Sequence, residues 1–218
     1  MHKSLLGLLI PILLTFSTEF AMAIEEPPYE VLLQDSSYEL RHYHPMLIAQ
    51  VKVEGDMDEA SNKGFRLIAD YIFGNNITPA SPGSIARENE KTSVKIAMTA
   101  PVTVEPQLKS IPIASSSLWR VNFVMPAQYT LATIPKPKNS AIELIEVPEK
   151  YYAVLTYSGF NFESKVQSQM EDTLKWVQQK GYQALSNPQL SRYNPPWTLP
   201  MFRRNEIMVE IAYPEKLK

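Results

Sequence analysis

The spacing of hydrophobic and polar positions changes from a strand pattern to a helix pattern early in the chain. Short runs rich in aromatic and branched residues predict strands over about 29–33, 38–44 and 47–53. From Asp56 onward the apolar positions recur at helical spacing, which predicts a helix over about 57–73 with Asp56 as its N-cap. This part of the chain therefore begins as a β meander and continues as an amphipathic helix.

A similar order of elements recurs in the second part of the chain. Strands are predicted at 96–104 and 118–124, and then at 142–147, 151–157 and 206–213, with a second helix at 162–180. Strands, helix and strands thus occur twice, which indicates an α+β fold built from a weak internal duplication. We expect a distorted antiparallel β-barrel of two pseudo-symmetric halves, with two flanking helices and a cleft where the halves meet.

The N-terminal region has the features of a secretory signal peptide over residues 1–23. Lys3 gives a positive start, residues 5–16 are apolar, and the run 21–23 is Ala-Met-Ala. An uncleaved membrane anchor is the alternative, but the uncharged stretch is shorter than the roughly 20 residues that a bilayer span needs. We expect a soluble, exported single domain over 24–218, periplasmic in a Gram-negative bacterium and otherwise secreted.

Charge and cysteine content narrow the classes of partner. The chain has 21 Lys and Arg against 23 Asp and Glu, a net charge of -2, so it offers no basic field for a nucleic acid backbone. It contains no Cys, which excludes disulfides, thiolate metal sites and covalent haem attachment. Any cofactor must therefore be held without a covalent thioether bond.

Several segments together resemble the SOUL haem-binding protein family over about residues 27–213. They are SYELRHY at 37–43, KIAMTAPV at 95–102, VMP at 124–126, YNPPW at 193–197 and RRNE at 203–206. The resemblance implies a distorted antiparallel barrel with two helices, related to bacterial effector-binding domains. It also implies a role in binding haem or another tetrapyrrole.

Two histidines, His42 and His44, are candidates for an iron site. They stand at positions i and i+2 of a predicted strand, so their side chains leave the same face. The resemblance implies His42 as an axial haem ligand and gives no such role to His44. The alternative is that both are surface residues beside the turn at Pro45.

A non-covalent haem site also needs an apolar wall and cations for the propionates. Met57 and Phe65 on the first predicted helix are candidates for the wall, and Arg41 and Arg120 are candidates for the propionates. Phe65 also fits an ordinary helix core, because it lies at helical spacing from Ile68.

Glu206 supports two further hypotheses. In effector-binding domains an inward carboxylate on a strand can receive a cationic planar ligand, and the resemblance implies that role for Glu206. A small hydrolase that uses Glu206 and a Tyr as acid and base is another alternative, although the sequence has no nucleophile motif. A solvated ion-pair cluster with Arg203 and Arg204 is the simplest structural role. We therefore expect a binding protein rather than an enzyme, and the sequence leaves its oligomeric state open.

Overall fold

A computed structural model of the protein describes residues 24–79, 92–108 and 115–213. Two helices, α1 (Met57–Ile72) and α2 (Glu163–Gln179), pack on one face of a curled nine-stranded antiparallel sheet. The strands are β1 (Tyr29–Asp35), β2 (Tyr38–Tyr43), β3 (Met46–Glu54), β4 (Asn76–Ile77), β5 (Val102–Pro106), β6 (Leu118–Val124), β7 (Lys136–Pro137), β8 (Glu143–Val147), β9 (Lys150–Tyr157), β10 (Gln189–Arg192) and β11 (Asn205–Ile211). β4 and β7 form a separate two-stranded ribbon, and residues Pro200–Phe202 form a short 3₁₀ helix.

The order of strands in the sheet shows the internal duplication directly. The sheet runs β1-β2-β9-β11-β10-β5-β6-β3-β8. One half is β3-α1-β5-β6 and the other is β9-α2-β10-β11. In the first half β6 pairs with β3 and β5, and in the second half β11 pairs with β9 and β10. The halves meet where β10 pairs with β5. The prediction of an α+β fold, a distorted antiparallel barrel with two pseudo-symmetric halves and two helices, is therefore confirmed, and the curled sheet forms a half-barrel.

The side of the sheet that faces the helices, called the outer face here, holds most of the apolar core. Alternate residues of β3, among them Ala49 and Val51, are buried beneath α1, while the intervening residues point to the inner face. Helix α1 lies close to the sheet at Gly64, where an added Cβ would come within 2.5 Å of the Val121 side chain. This residue is therefore a glycine for reasons of space rather than backbone conformation.

The start of α1 is as the sequence predicts. The Asp56 side chain accepts a hydrogen bond from the backbone N–H of Glu59 at 2.8 Å, so one of the free amides of the first turn is satisfied.

The interpretation of Phe65 as helix core is wrong, because 39% of this residue is exposed and its ring touches Phe123 from the edge of the helix. The close approach at Gly64 rotates the buried stripe of α1 away from Phe65.

One strand prediction needs correction, and one strand of the nine-stranded sheet was not predicted. Of the predicted strand 96–104, only the end belongs to β5, which begins at Val102. The preceding residues follow an irregular path that contains the cis peptide Ala100–Pro101, and the Thr99 hydroxyl donates to the Val124 carbonyl there. Strand β10 was not predicted, because four residues between prolines give too short a pattern.

No helix among the described residues is long and apolar enough to cross a bilayer. The predicted signal peptide, residues 1–23, lies outside the described residues.

Candidate functional site

A buried ion pair lies on the inner face, in the half of the sheet that contains β2, β9 and β11. Strand β2 places Arg41 and strand β11 places Glu206 on this face, with β9 between them. The two guanidinium Nη atoms of Arg41 donate to the two carboxylate oxygens of Glu206 at 3.0 and 3.1 Å. Arg41 is 3% exposed and Glu206 1% exposed, so the pair is closed off from water. Such a fork-to-fork contact is the geometry in which Arg recognises a carboxylate most strongly.

Two tyrosines and a second cation surround this pair, and the cation, Arg204, has its Nε 3.4 Å from a carboxylate oxygen of Glu206. The Tyr193 hydroxyl donates to Glu206 at 2.6 Å, and an Arg41 Nη atom donates to the Tyr43 hydroxyl at 3.1 Å. Burial, reinforced by the charge of Glu206, raises the pKa of Tyr193. Burial also raises the pKa of Tyr43, to about 12, although the nearby Arg41 opposes the shift. Both phenols therefore stay protonated at neutral pH.

Arg41 stays protonated in this buried position because of its ion-pair and hydrogen-bond partners. Burial disfavours the charged guanidinium, but its attraction to Glu206 and its hydrogen bonds raise the pKa of Arg41 above the ordinary value. Arg41 also donates through Nε to Glu39 at 2.6 Å, and its guanidinium lies 4.3 Å from the centroid of the Tyr29 ring. We call these residues the inner ion cluster: Arg41, Glu206, Tyr193, Tyr43 and Glu39.

The inner ion cluster is a completed structure rather than an open site. A cationic ligand that used Glu206 would have to displace Arg41, which already occupies the position of the cation. The hydrolase hypothesis places Glu206 beside a tyrosine, and Tyr193 is indeed in hydrogen-bond contact with it. Both groups are almost fully buried, and protonated Tyr193 is a poor base at neutral pH. The geometry therefore indicates a structural role for this pair.

His42 and His44 share the outer face at the end of β2, as the sequence predicts for their spacing, and their ring centroids are 5.5 Å apart. The His42 ring stacks on Tyr151 at 4.6 Å, and its side chain is 17% exposed. Its Nε2 lies 3.3 Å from Glu149 and its Nδ1 lies 4.0 Å from Glu30. Both nitrogens thus face carboxylates, and no group of three metal-ligating side chains is found within the described residues.

The other sequence-predicted site residues lie apart from one another. Met57 is 2% exposed and belongs to the core under α1, while Phe65 lies at the edge of the same helix. Arg120 on β6 donates to Glu105 at 2.8 Å. The structure therefore brings together only Arg41 and Glu206 of the six predicted residues.

A pocket of about 560 Å³ opens at one end of the sheet. Five segments meet around it: the N-terminal segment, the β2–β3 turn, the irregular segment before β5, the segment after β6 and the β8–β9 turn. We call it the terminal pocket, and its lining residues are 25–28, 45–47, 99, 124–127, 129–130 and 146–148. Its volume lies within the range of about 300 to 1,000 Å³ that is usual for small-molecule sites. Most of its lining side chains are apolar, among them Met46, Val124 and Tyr129.

Three carboxylates give the terminal pocket a negative side. Glu25 accepts from the backbone N–H of Ala127 at 2.6 Å, and Glu26 pairs with Arg204 at 2.6 Å. Glu146 is exposed and lines the same pocket. An anionic group on a ligand is therefore expected to point out of the pocket, toward solvent.

Sequence reasoning missed the terminal pocket, and none of the six predicted site residues lines it. Its walls come from five separated segments, and whether they meet depends on the register of the sheet. A usable signal was present in the prolines that border these loops, Pro28, Pro45, Pro126 and Pro148, because prolines that interrupt strand patterns mark the ends of strands.

Comparison with known proteins places the chain in context. A family model described as SOUL heme-binding protein matches residues 24–210. Human Heme-binding protein 2 is 31% identical over 155 residues, which cover 69% of this chain and 68% of that protein. The mouse Heme-binding protein 2 is 29% identical over 164 residues, with 73% and 72% covered.

Solved structures share the fold at low sequence identity. The crystal structure of the EcmrR C-terminal domain has a TM-score of 0.56 at 14% identity and covers 84% of this chain and 98% of its own. A structure described as a hydrolase from Listeria innocua has a TM-score of 0.50 at 11% identity, with 83% and 94% covered. At these identities the likeness extends to the fold alone.

Proposed function

Because the chain belongs to the SOUL haem-binding protein family, we propose that it binds haem or a related tetrapyrrole non-covalently in the terminal pocket. The observation that supports this site is the presence of an apolar pocket of about 560 Å³ at one end of the sheet. The inner ion cluster, in contrast, is filled by its own side chains. We also propose that the protein acts by binding rather than by catalysis, and that residues 1–23 direct its export.

The residues of the pocket suit a planar apolar ring. Met46, Val124, Met125 and Tyr129 would contact the macrocycle, and burial of apolar surface would supply the affinity because no covalent bond is available. Bound haem would supply a planar aromatic surface and an iron centre. Since Glu25 and Glu146 lie at the pocket, the propionates would face solvent, where water can solvate them.

The sequence-based prediction that His42 ligates the iron stays a prediction. His42 does not line the terminal pocket, and its Nε2 faces Glu149 at 3.3 Å. Ligation through this nitrogen would require the exposed Glu149 side chain to move away. Binding in the terminal pocket does not require His42.

An absorbance titration of residues 24–218 with haemin tests the proposal. We expect a saturable shift of the Soret band at micromolar haemin, and the same spectrum and affinity for His42→Ala, because the pocket is built from other residues. His44→Ala serves as the matched control on the same face. A failure to saturate would contradict haem binding. A changed Soret band in His42→Ala alone would move the site to the histidine pair.

A planar cation is a second candidate ligand, favoured by Glu25 and Glu146 at the pocket, whereas the charge of Glu26 is balanced by Arg204. It is distinguished from haem by Glu146→Gln, because removing one negative charge has opposite effects on the two ligands. We expect haemin to bind about twofold more tightly and a cationic aromatic dye to bind about twofold more weakly, a small effect because Glu146 is exposed. Saturable dye binding without haemin binding would favour the second candidate.

A further inference from the structure

Six large apolar side chains project into solvent from two loops that meet at one place on the surface. One loop joins β9 to α2 and the other precedes β11, and the backbone N–H of Gly159 in the first donates to the Pro200 carbonyl of the second at 2.9 Å. We call this surface the aromatic patch: Phe160 (48% exposed), Phe162 (64%), Trp197 (83%), Leu199 (58%), Met201 (65%) and Phe202 (72%). Contiguous apolar surface of this kind marks an interaction site.

The longer loop is held in shape by its own hydrogen bonds. Arg203 donates through Nε to the Thr198 carbonyl at 2.8 Å and through an Nη atom to the Pro196 carbonyl at 2.5 Å. The Phe202 N–H donates to the Leu199 carbonyl at 2.9 Å. The apolar side chains are therefore presented without a further cost in loop ordering. Because these backbone carbonyl and N–H groups are already hydrogen-bonded, few of them remain to pair with a β-strand of a protein partner.

Two cations flank the aromatic patch. The Arg203 guanidinium lies 5.4 Å from the centroid of the Phe160 ring, and the Lys165 ammonium lies 5.1 Å from that of Tyr157. Neither cation forms a salt bridge with another described residue. The nearest acid to Lys165 along the chain is Glu163, in the first turn of α2, and the nearest to Arg203 is Glu206, which is paired with Arg41. The charge beside the patch is thus positive, although the whole chain carries -2.

We propose that the aromatic patch docks on the surface of a bilayer that contains anionic lipid. Trp and Phe side chains beside uncompensated Lys and Arg are the composition of interfacial anchors, in which the rings enter the headgroup region and the cations meet lipid phosphates. The protein binds such a surface peripherally through these loops. None of the patch residues lines the terminal pocket, so docking can be measured separately from haem binding.

Tryptophan fluorescence provides a local readout of this docking. The chain has three Trp, of which Trp119 is 1% and Trp176 is 7% exposed, whereas Trp197 is 83% exposed. We expect vesicles of phosphatidylcholine with phosphatidylglycerol to sediment the protein and to shift its emission to shorter wavelength. Trp197→Phe should remove the shift and keep sedimentation, since Phe preserves the apolar contact. Vesicles of phosphatidylcholine alone should bind it more weakly.

Variants separate the patch from general surface adhesion. Trp197→Ala with Phe202→Ala should lower vesicle partitioning about tenfold or more, because two large rings no longer enter the interface. Phe73→Ala, at an exposed ring at the end of α1, should leave partitioning unchanged. Equal partitioning of the double variant and the wild type, or no partitioning at all, would overturn the proposal. Self-association that Trp197→Ser abolishes, without vesicle binding, would assign the patch to a second copy and also overturn it.

Discussion

Replacing Arg41 with Met is expected to lower the free energy of unfolding by about 3 to 5 kcal/mol, the usual cost of removing one member of a buried ion pair. Arg41 forms two hydrogen bonds to Glu206, which is 1% exposed. The variant leaves that carboxylate buried without its two strongest hydrogen bonds, and the Arg204 Nε at 3.4 Å remains as a neighbouring cation. Urea denaturation followed by circular dichroism measures the change.

The double variant Arg41→Met with Glu206→Leu is the matched control. It removes both charges of the pair, so part of the lost stability should return, while Tyr193 and Arg204 lose Glu206 as a partner. A double-mutant cycle then gives the coupling energy of the pair. If Arg41→Met were as stable as the wild type, the inner ion cluster would not be closed to water and Glu206 would be available for a ligand.

The second large effect is expected at Trp119. This side chain is 1% exposed in the core beneath α1, and its indole N–H donates to the Gly55 carbonyl at 3.0 Å. Trp119→Ala is expected to cost about 3 to 5 kcal/mol, because a large cavity forms and the core relaxes only in part. Chemical denaturation of the purified variant measures the loss.

Trp197→Ala is the control for this substitution, since it removes the same side chain from a site that is 83% exposed. Its unfolding free energy should stay within about 0.5 kcal/mol of the wild type. Equal losses for the two variants would mean that Trp197 packs in the folded protein, which would contradict its place in the aromatic patch.

Elements with a regular local pattern could be predicted from the sequence. The strand at 118–124 and the cap at Asp56 are found where expected, because side-chain alternation and capping depend on nearby residues. Phe65 was wrongly interpreted as helix core. Its exposure depends on how closely α1 approaches β6 at Gly64, which is a tertiary contact.

The roles of the predicted site residues were harder to predict, because the partners of these residues are distant in the chain. Arg41 was assigned to a propionate and Glu206 to a cationic ligand, whereas in the structure these residues bind each other. Their contact depends on the pairing of β2 with β9 and of β9 with β11, which the sequence does not reveal. The terminal pocket depends on the same kind of information, since five segments that are distant in the chain form it.

The haemin affinity of Ala127→Trp tests the proposed location of haem most directly. Ala127 is exposed and lines the terminal pocket, so a Trp side chain there would occupy its entrance. The neighbouring Gln128 is also exposed but does not line the pocket, and Gln128→Trp adds the same side chain as a control. We expect a dissociation constant about tenfold higher for Ala127→Trp, a loss of about 1.4 kcal/mol, and an unchanged one for Gln128→Trp. Equal haemin affinities for both variants and the wild type would contradict binding in the terminal pocket.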